Sequence, residues 1–482
     1  MRIAIAYPPL RCGKGTPLLA QNRQFQWFSR PTYIFPVVPA TAATMLARGG
    51  HEVLFLDGIA AELDDAEFDR RLQDFRPDAV VLETKTPVVK RHWKWIADRR
   101  AWNCRFILVG DHVTALPAES MENSPADMVL TGGDWDFLLA SCADSGFDPA
   151  KYEPGVWYRE GGEVRSTGSF VLNHDLGSAP RIDRDLVHWE LYARKNGNFK
   201  RRPGTYIMSA RDCWHAKCTF CSWTTLYPKY RVRPVDDVLD EIDWLVRRYG
   251  VREIMDDSGS FPVGRWLEDF CRGMVARGLH RKVRIDCNMR FGRLRREDYM
   301  MMRRAGFRLV LFGVESANQE TLDRYRKGLT VKDVEDGARW ASEAGLDVHL
   351  TFMFGHPWEG PREMATTVAL ARRMLAEGCA ATLQCTLTVP YPGTPLFREL
   401  DASGGLLTRD WDDYDMRRAV MATPRATEAD VKKAVRDVYR GFLAPRALWH
   451  QVRRNLFDLS FYWRGLGYLR GHLLDFSGGR TS

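Results

Sequence analysis

Short apolar runs, each followed by a stretch with helical spacing, recur along most of this chain. In the first 145 residues the runs fall at 3–7, 53–56, 79–82, 106–109 and 128–130. Amphipathic patterns at 39–48, 62–75, 88–99 and 136–143 separate them. Strands that are apolar throughout, with helices between them, predict a parallel sheet covered on both faces, a doubly wound Rossmann-like domain. Such sheets bind ligands at the C-terminal strand edges. Those edges carry Pro8-Pro9, Asp57-Gly58, the run Glu83-Thr84-Lys85-Thr86, Gly110-Asp111-His112 and Thr131-Gly132-Gly133-Asp134. Small and polar residues at several edges suit a large flat or phosphate-bearing ligand. No G-x-G-x-x-G follows the first strand, which argues against a nicotinamide dinucleotide.

Residues 146–200 read as a connector broken by Gly161-Gly162, Gly177 and Pro180. A second alternation then occupies 201–405. Strands are predicted at 206–209, 253–255, 283–287, 309–312, 348–353 and 382–389, with helices at 235–249, 266–277, 296–304, 331–344 and 363–377. Six β/α units make a partial TIM-like barrel, and barrel chemistry sits at the C-terminal strand ends. Residues 406–482 are predicted to be a helical C-terminal segment. The predicted fold class is therefore α/β throughout, closed by that helical segment.

Composition changes this picture little. The 482 residues are 45% hydrophobic and 27% charged, a globular balance with room for several cores. No run is long and apolar enough to span a membrane, and residues 2–7 read as a first strand and not as a signal core. Ten cysteines are too sparse for a disulfide scaffold, so the expected compartment is the cytoplasm. Of the net charge of +8, about +5 lies between Trp411 and Ser482, where 13 Lys and Arg face 8 Asp and Glu.

The candidate chemistry lies just after the first barrel strand. Cys213, Cys218 and Cys221 fall in one short loop. Three thiolates this close can hold three corners of an iron–sulfur cube and leave its fourth iron open to a small chelating molecule. A zinc site with His215 as fourth ligand is the other reading of the same residues. Further motifs stand after later strands: Ile254-Met-Asp-Asp-Ser258, Gly313-Val-Glu-Ser316, Phe354-Gly-His-Pro-Trp-Glu359 and Pro390-Tyr-Pro-Gly-Thr-Pro395.

In their order and spacing these motifs resemble the radical S-adenosylmethionine (SAM) superfamily, and residues 1–400 resemble its cobalamin-binding-domain subgroup. The family's usual interval is Cys-x3-Cys-x2-Cys. Here four residues separate Cys213 from Cys218, an extra residue that a loop bulge can absorb. The resemblance implies a [4Fe–4S] cluster on Cys213, Cys218 and Cys221, with SAM chelating the open iron. Reductive cleavage of SAM would then give a 5′-deoxyadenosyl radical that takes hydrogen from the substrate. Phe220 is placed to pack on the adenine, and Glu315 and Ser316 to hold the ribose or the methionyl ammonium. Asp256, Asp257, Arg290 and Lys327 are expected around the same mouth, and no residue is assigned a direct catalytic part. For the N-terminal domain the implied ligand is cobalamin, at Pro8, Thr84, Thr86, Asp111, His112, Gly132 and Gly133. The Asp-x-His-x-x-Gly loop of some cobalamin proteins is absent, and His112 is read either as an axial ligand or as a wall residue.

The resulting expectation is an enzyme that transfers a methyl group to an unactivated carbon of a small or lipid-like substrate. Rearrangement, cyclisation or oxidation without methylation is the enzyme alternative, and a zinc-stabilised binding protein the non-enzyme one. An electron donor such as flavodoxin or ferredoxin is implied, and no nucleic acid. Methylthiotransferases acting on tRNA hold a second cluster on three further cysteines. Of the candidates Cys12, Cys104 and Cys142, Cys104 lies at the start of a strand and Cys142 within a predicted helix, neither at a strand's C-terminal edge, while Cys271, Cys287, Cys379 and Cys385 read as core thiols. Residues 444–476 mix aromatic and apolar residues, from Trp449 and Leu456 to Leu474, with Arg446, Arg453, Arg454, Arg464 and Arg470. A helix docked on the barrel is the plainer reading, and peripheral contact with a membrane surface the other.

Overall fold

Strand burial follows the two-residue alternation of a pleated sheet. In the first strand, Arg2–Tyr7, the side chains of Ile3, Ile5 and Tyr7 enter one core and those of Ala4 and Ala6 another. That strand can therefore only lie inside a sheet covered on both faces. The computed structural model describes residues 1–19, 25–28 and 31–454. Its N-terminal sheet runs in the order Glu52–Asp57, Arg2–Tyr7, Ala79–Glu83, Arg105–Val109, Met128–Leu130, all parallel. The chain order reverses between Arg2–Tyr7 and Ala79–Glu83, which is the switch point where such sheets take ligands.

Two antiparallel strands extend this sheet, Val156–Glu160 beside Met128–Leu130 and then Glu163–Ser166. They arise from the stretch expected to be a connector. Gly161 and Gly162 both have positive φ, 60° and 90°, which is what a tight two-residue hairpin turn requires. The glycine pair is thus a turn inside the sheet. The rest of that stretch packs inward, and the fully buried Arg184 donates to Thr205 Oγ1 (2.8 Å) and to the Tyr206 carbonyl (2.9 Å).

The second sheet has six parallel strands in chain order: Gly204–Ile207, Glu253–Asp256, Arg284–Met289, Phe307–Glu315, Asp347–Phe354 and Thr382–Leu387. Helices Val235–Tyr249, Arg265–Ala276, Arg296–Arg304, Val331–Glu343 and Pro361–Ala376 connect them and enclose one large core, to which Cys271, Cys287, Cys379 and Cys385 belong. At the N-terminal strand ends, Arg308 reaches Glu253 (2.9 Å), Asp286 (2.5 Å) and Asp347 (3.2 Å), and Lys200 adds a second cation on Asp347 (2.9 Å). Burial pushes Asp286 up against the pull of Arg308.

After the barrel the chain is not uniformly helical. Trp411, Tyr414 and Val420 pack with Val389 and Tyr391 onto the N-terminal sheet. Helix Glu428–Arg440 and helix Pro445–Arg454 lie on Pro361–Ala376. Docking on the barrel thus holds for the described part of the segment, while Leu456 and the later aromatic and basic positions lie outside the described residues. No helix among the described residues is long and apolar enough to cross a membrane.

Candidate active site

The cysteine loop is an excursion from a small antiparallel ribbon, Ala210–Arg211 against Arg231–Val232, with Arg211 directly opposite Arg231. Like charges facing across a ribbon repel, and carboxylates of the N-terminal domain neutralise them here. Arg211 meets Asp136 through two bonds (2.8 and 2.5 Å) and Asp134 at 3.1 Å, while Arg231 takes both oxygens of Asp134 at 2.6 Å. His174 lies 3.2 Å from the same carboxylate. Burial disfavours the ionised Asp134, but His174, Arg231 and Arg211 together hold it well below the usual carboxylate range. The loop that carries the three thiols is therefore bolted at its base to the other domain.

Around the thiols several predicted residues converge from different strand ends. Arg290, after the third strand, points Nη1 at Cys218 Sγ (3.6 Å) and donates through Nη2 to the Lys327 carbonyl. Lys327 forms a buried ion pair with Glu315, and its ammonium lies 5.6 Å from the Phe220 ring centre. Phe220 meets Tyr325 edge to face at 4.8 Å. Burial pushes the Cys221 thiol up to about 12, with Cys218, Asp212 and Cys213 adding to the shift, and burial raises Cys218 as well. A thiolate here needs positive charge beside it, and Arg290 and Lys327 supply it.

Other predicted residues take supporting positions. Asp256 accepts from the Ser209 hydroxyl and from the backbone N–H groups of Ser209 and Ser258 (3.0 Å each), so it shapes the entry to the loop. Asp257 is buried next to it, and its N–H donates to the Ile207 carbonyl. Ser316 turns away from the thiols and bonds Glu359 (2.7 Å), in a network with Thr321, Asn318 and Thr367. Glu315 has φ 70°, and this left-handed step sends the next side chain into the helix layer.

At the switch point Tyr7 donates a hydrogen bond to Glu83, whose carboxyl burial pushes up to about 7 against the pull of Lys85. Pro8 is buried beyond the same strand. Thr84 bonds His92 (2.7 Å), and Thr86 lies 3.2 Å from His112 Nδ1. The other His112 nitrogen faces Glu119 at 3.4 Å, and the ring packs between Trp93 and Trp411. Both ring nitrogens thus face protein groups, and Nε2 is buried without a hydrogen bond among the described residues. Asp111 accepts from the His112 N–H (2.8 Å). Gly132 and Gly133 are close-approach positions: a Cβ would strike the Phe170 ring at the first and the Tyr227 ring at the second. A narrow cavity opens among Phe25, Lys85, Thr86, Asp111, Ser222 and Tyr391. It is bounded by the N-terminal sheet edge, the cysteine loop and the segment after the sixth barrel strand.

Three thiols backed by two cations fit an anionic iron–sulfur cluster. His215, the fourth ligand in the zinc reading, has its Nε2 engaged by the Arg326 carbonyl at 2.7 Å. At the switch-point edge Lys85, Thr86 and Asp111 border a narrow cleft, and they are polar groups of the kind that would bond the amide rim of a cobalamin.

A partial β/α barrel thus carries a three-thiol loop at its C-terminal mouth and is joined to a doubly wound domain. The profile of the radical SAM superfamily matches residues 207–371, which take in the three-thiol loop and most of the barrel. It is 27% identical over 421 residues to an uncharacterized methyltransferase of Pyrococcus horikoshii, covering 86% of this chain and 89% of that protein. It is 26% identical over 433 residues to the anaerobic magnesium-protoporphyrin IX monomethyl ester cyclase of Cereibacter sphaeroides, covering 87% of this chain and 67% of the cyclase. In fold it is similar to the radical SAM methyltransferase TsrM of Kitasatospora setae, solved with cobalamin and a [4Fe–4S] cluster. The TM-score is 0.67 and the identity 17%, over 91% of this chain and 88% of that one.

Proposed function

We propose that this protein is a cobalamin-dependent radical SAM enzyme that transfers a methyl group to an unactivated carbon of a small or lipid-like substrate. The observation that carries the reading is the shared cavity. Ser222, the residue after Cys221, lines it together with Lys85, Thr86 and Asp111 from the switch-point edges. The thiol loop and the switch-point edge thus meet at one narrow cleft. The methyltransferase relative and the TsrM fold support the same reading. When bound, the cluster and cobalamin supply one-electron chemistry and a transferable methyl group that no side chain can provide.

The chain's own residues bind, orient and exclude water. Cys213, Cys218 and Cys221 hold the cluster. Phe220 offers its ring to the adenine of SAM, and Glu315, paired with Lys327, orients the amino acid end. Arg290 neutralises the thiolate side. Lys85, Thr86 and Asp111 bond the polar rim of cobalamin, and His112 forms its wall. An electron donor of the flavodoxin or ferredoxin kind completes the system. Helix Pro445–Arg454 exposes Leu448, Trp449 and Val452 beside Arg446 and Arg453, which supports delivery of an apolar substrate from a membrane surface.

The test is anaerobic reconstitution with iron, sulfide and cobalamin, followed by desalting and metal and cobalamin analysis. Retention of iron, sulfide and cobalamin is the expected result. Iron and sulfide without cobalamin would favour ring formation or oxidation, the reading to which the cyclase relative lends support. Zinc in place of iron would overturn both.

A further inference from the structure

Arg290 is 6% exposed and its guanidinium is held at three places. Nη1 stands 3.6 Å from Cys218 Sγ, Nη2 donates to the Lys327 carbonyl, and the guanidinium carbon lies 5.3 Å from the Trp214 ring centre. Nε is buried and meets no partner among the described residues. Trp214 directly follows Cys213, inside the lengthened interval of the loop, and Arg293 lies over the same ring at 5.6 Å. The neighbouring cation, Lys327, is already paired with Glu315. A neutral carbonyl does not account for a buried guanidinium, because burying a full charge is costly unless an opposite charge faces it. The group that Nη1 faces is the Cys218 sulfur. A lysine ammonium has donors enough for both groups but no rigid fork to hold sulfur and carbonyl in one fixed geometry.

The geometry points to Arg290 as the residue that sets the reduction potential of the iron–sulfur cluster, through a charged hydrogen bond to the Cys218 thiolate. This rests on the cluster assignment in the proposed function. Reduction adds one electron and so increases negative charge on the cluster and its sulfur ligands. A fixed positive donor stabilises the reduced form more than the oxidised one and raises the potential.

The experiment is a potentiometric dithionite titration of the reconstituted full chain without SAM, followed by electron paramagnetic resonance, for wild type, Arg290→Lys and Arg290→Met. Arg290→Met is expected to lower the equilibrium constant for one-electron reduction about tenfold, a shift of about 59 mV to more negative potential, at unchanged iron and sulfide. Arg290→Lys should fall between. A full cluster with an unshifted potential in Arg290→Met overturns the inference. So does a variant that is folded by circular dichroism but holds no cluster, because Arg290 would then serve the loop's structure. Wild-type protein without iron and sulfide overturns the cluster reading itself, a result the titration does not share with the other two.

Discussion

Cys218 and Cys221 sit where burial alone would keep them protonated, Cys221 with a pKa of about 12. Binding iron must therefore release protons, and losing any one thiol removes a corner of the cluster. Cys218→Ala and Cys221→Ala are expected to abolish iron and sulfide retention, and Cys213→Ala to do the same despite the longer interval before Cys218. Full retention in any of the three would remove that residue from the ligand set. The thiols were legible because their spacing is short and local. Arg290 and Glu315 were legible as polar residues at strand ends, and Lys327 as a cation in the segment after the fourth strand, beyond helix Gln319–Arg324. The orientation of Ser316 was not, since it depends on the left-handed φ of the residue before it. Tyr325 and Arg211 carried no signal at all, because their hydrogen-bond partners, His356 and Asp136, lie 31 and 75 residues away in sequence.

The elements of both sheets follow from apolar runs and helical spacing, since a strand buried on both faces leaves few alternatives. The hairpin Val156–Glu160 and Glu163–Ser166 escaped this reading because its outer strand is exposed along its whole length and shows no apolar alternation. Its glycine pair reads equally well as a linker break until the turn conformation is known. The floor of the barrel was also illegible. Glu253, Asp286, Arg308 and Asp347 each lie within the opening residues of a different strand and meet only in the closed sheet. Removing Arg308 leaves three largely buried carboxylates with a single lysine. Arg308→Ala is expected to lower stability by about 3–5 kcal/mol in urea unfolding, with iron binding kept in the folded protein. A change within about 0.5 kcal/mol would show that the network is solvated and contributes little.

At the scale of the molecule, the two domains are joined by the acid clamp of Asp134 and Asp136 on Arg211 and Arg231, at the base of the cysteine loop. Asp136→Ala leaves Arg211 buried with one carboxylate fewer, which costs on the order of 3 kcal/mol and should lower cobalamin and iron retention together. Loss of neither would show that the domains dock without the clamp. The clamp also has a pH signature. Asp134 is held below its ordinary value, so its contribution is full above about pH 4 and is lost as pH falls through the depressed value. His174 is raised, chiefly by its hydrogen bond to Asp134, so its contribution is full below about pH 6.5 and is lost as pH rises through the raised value. Unfolding measured across pH should therefore show greatest clamp stability between these limits, and His174→Gln should remove the decline on the alkaline side. The most direct test of the central claim is formation of 5′-deoxyadenosine by the reconstituted chain, with SAM and dithionite under anaerobic conditions. The account predicts 5′-deoxyadenosine from the wild-type protein and none from Cys218→Ala. Iron-loaded wild-type protein that yields no 5′-deoxyadenosine above the Cys218→Ala background would contradict it.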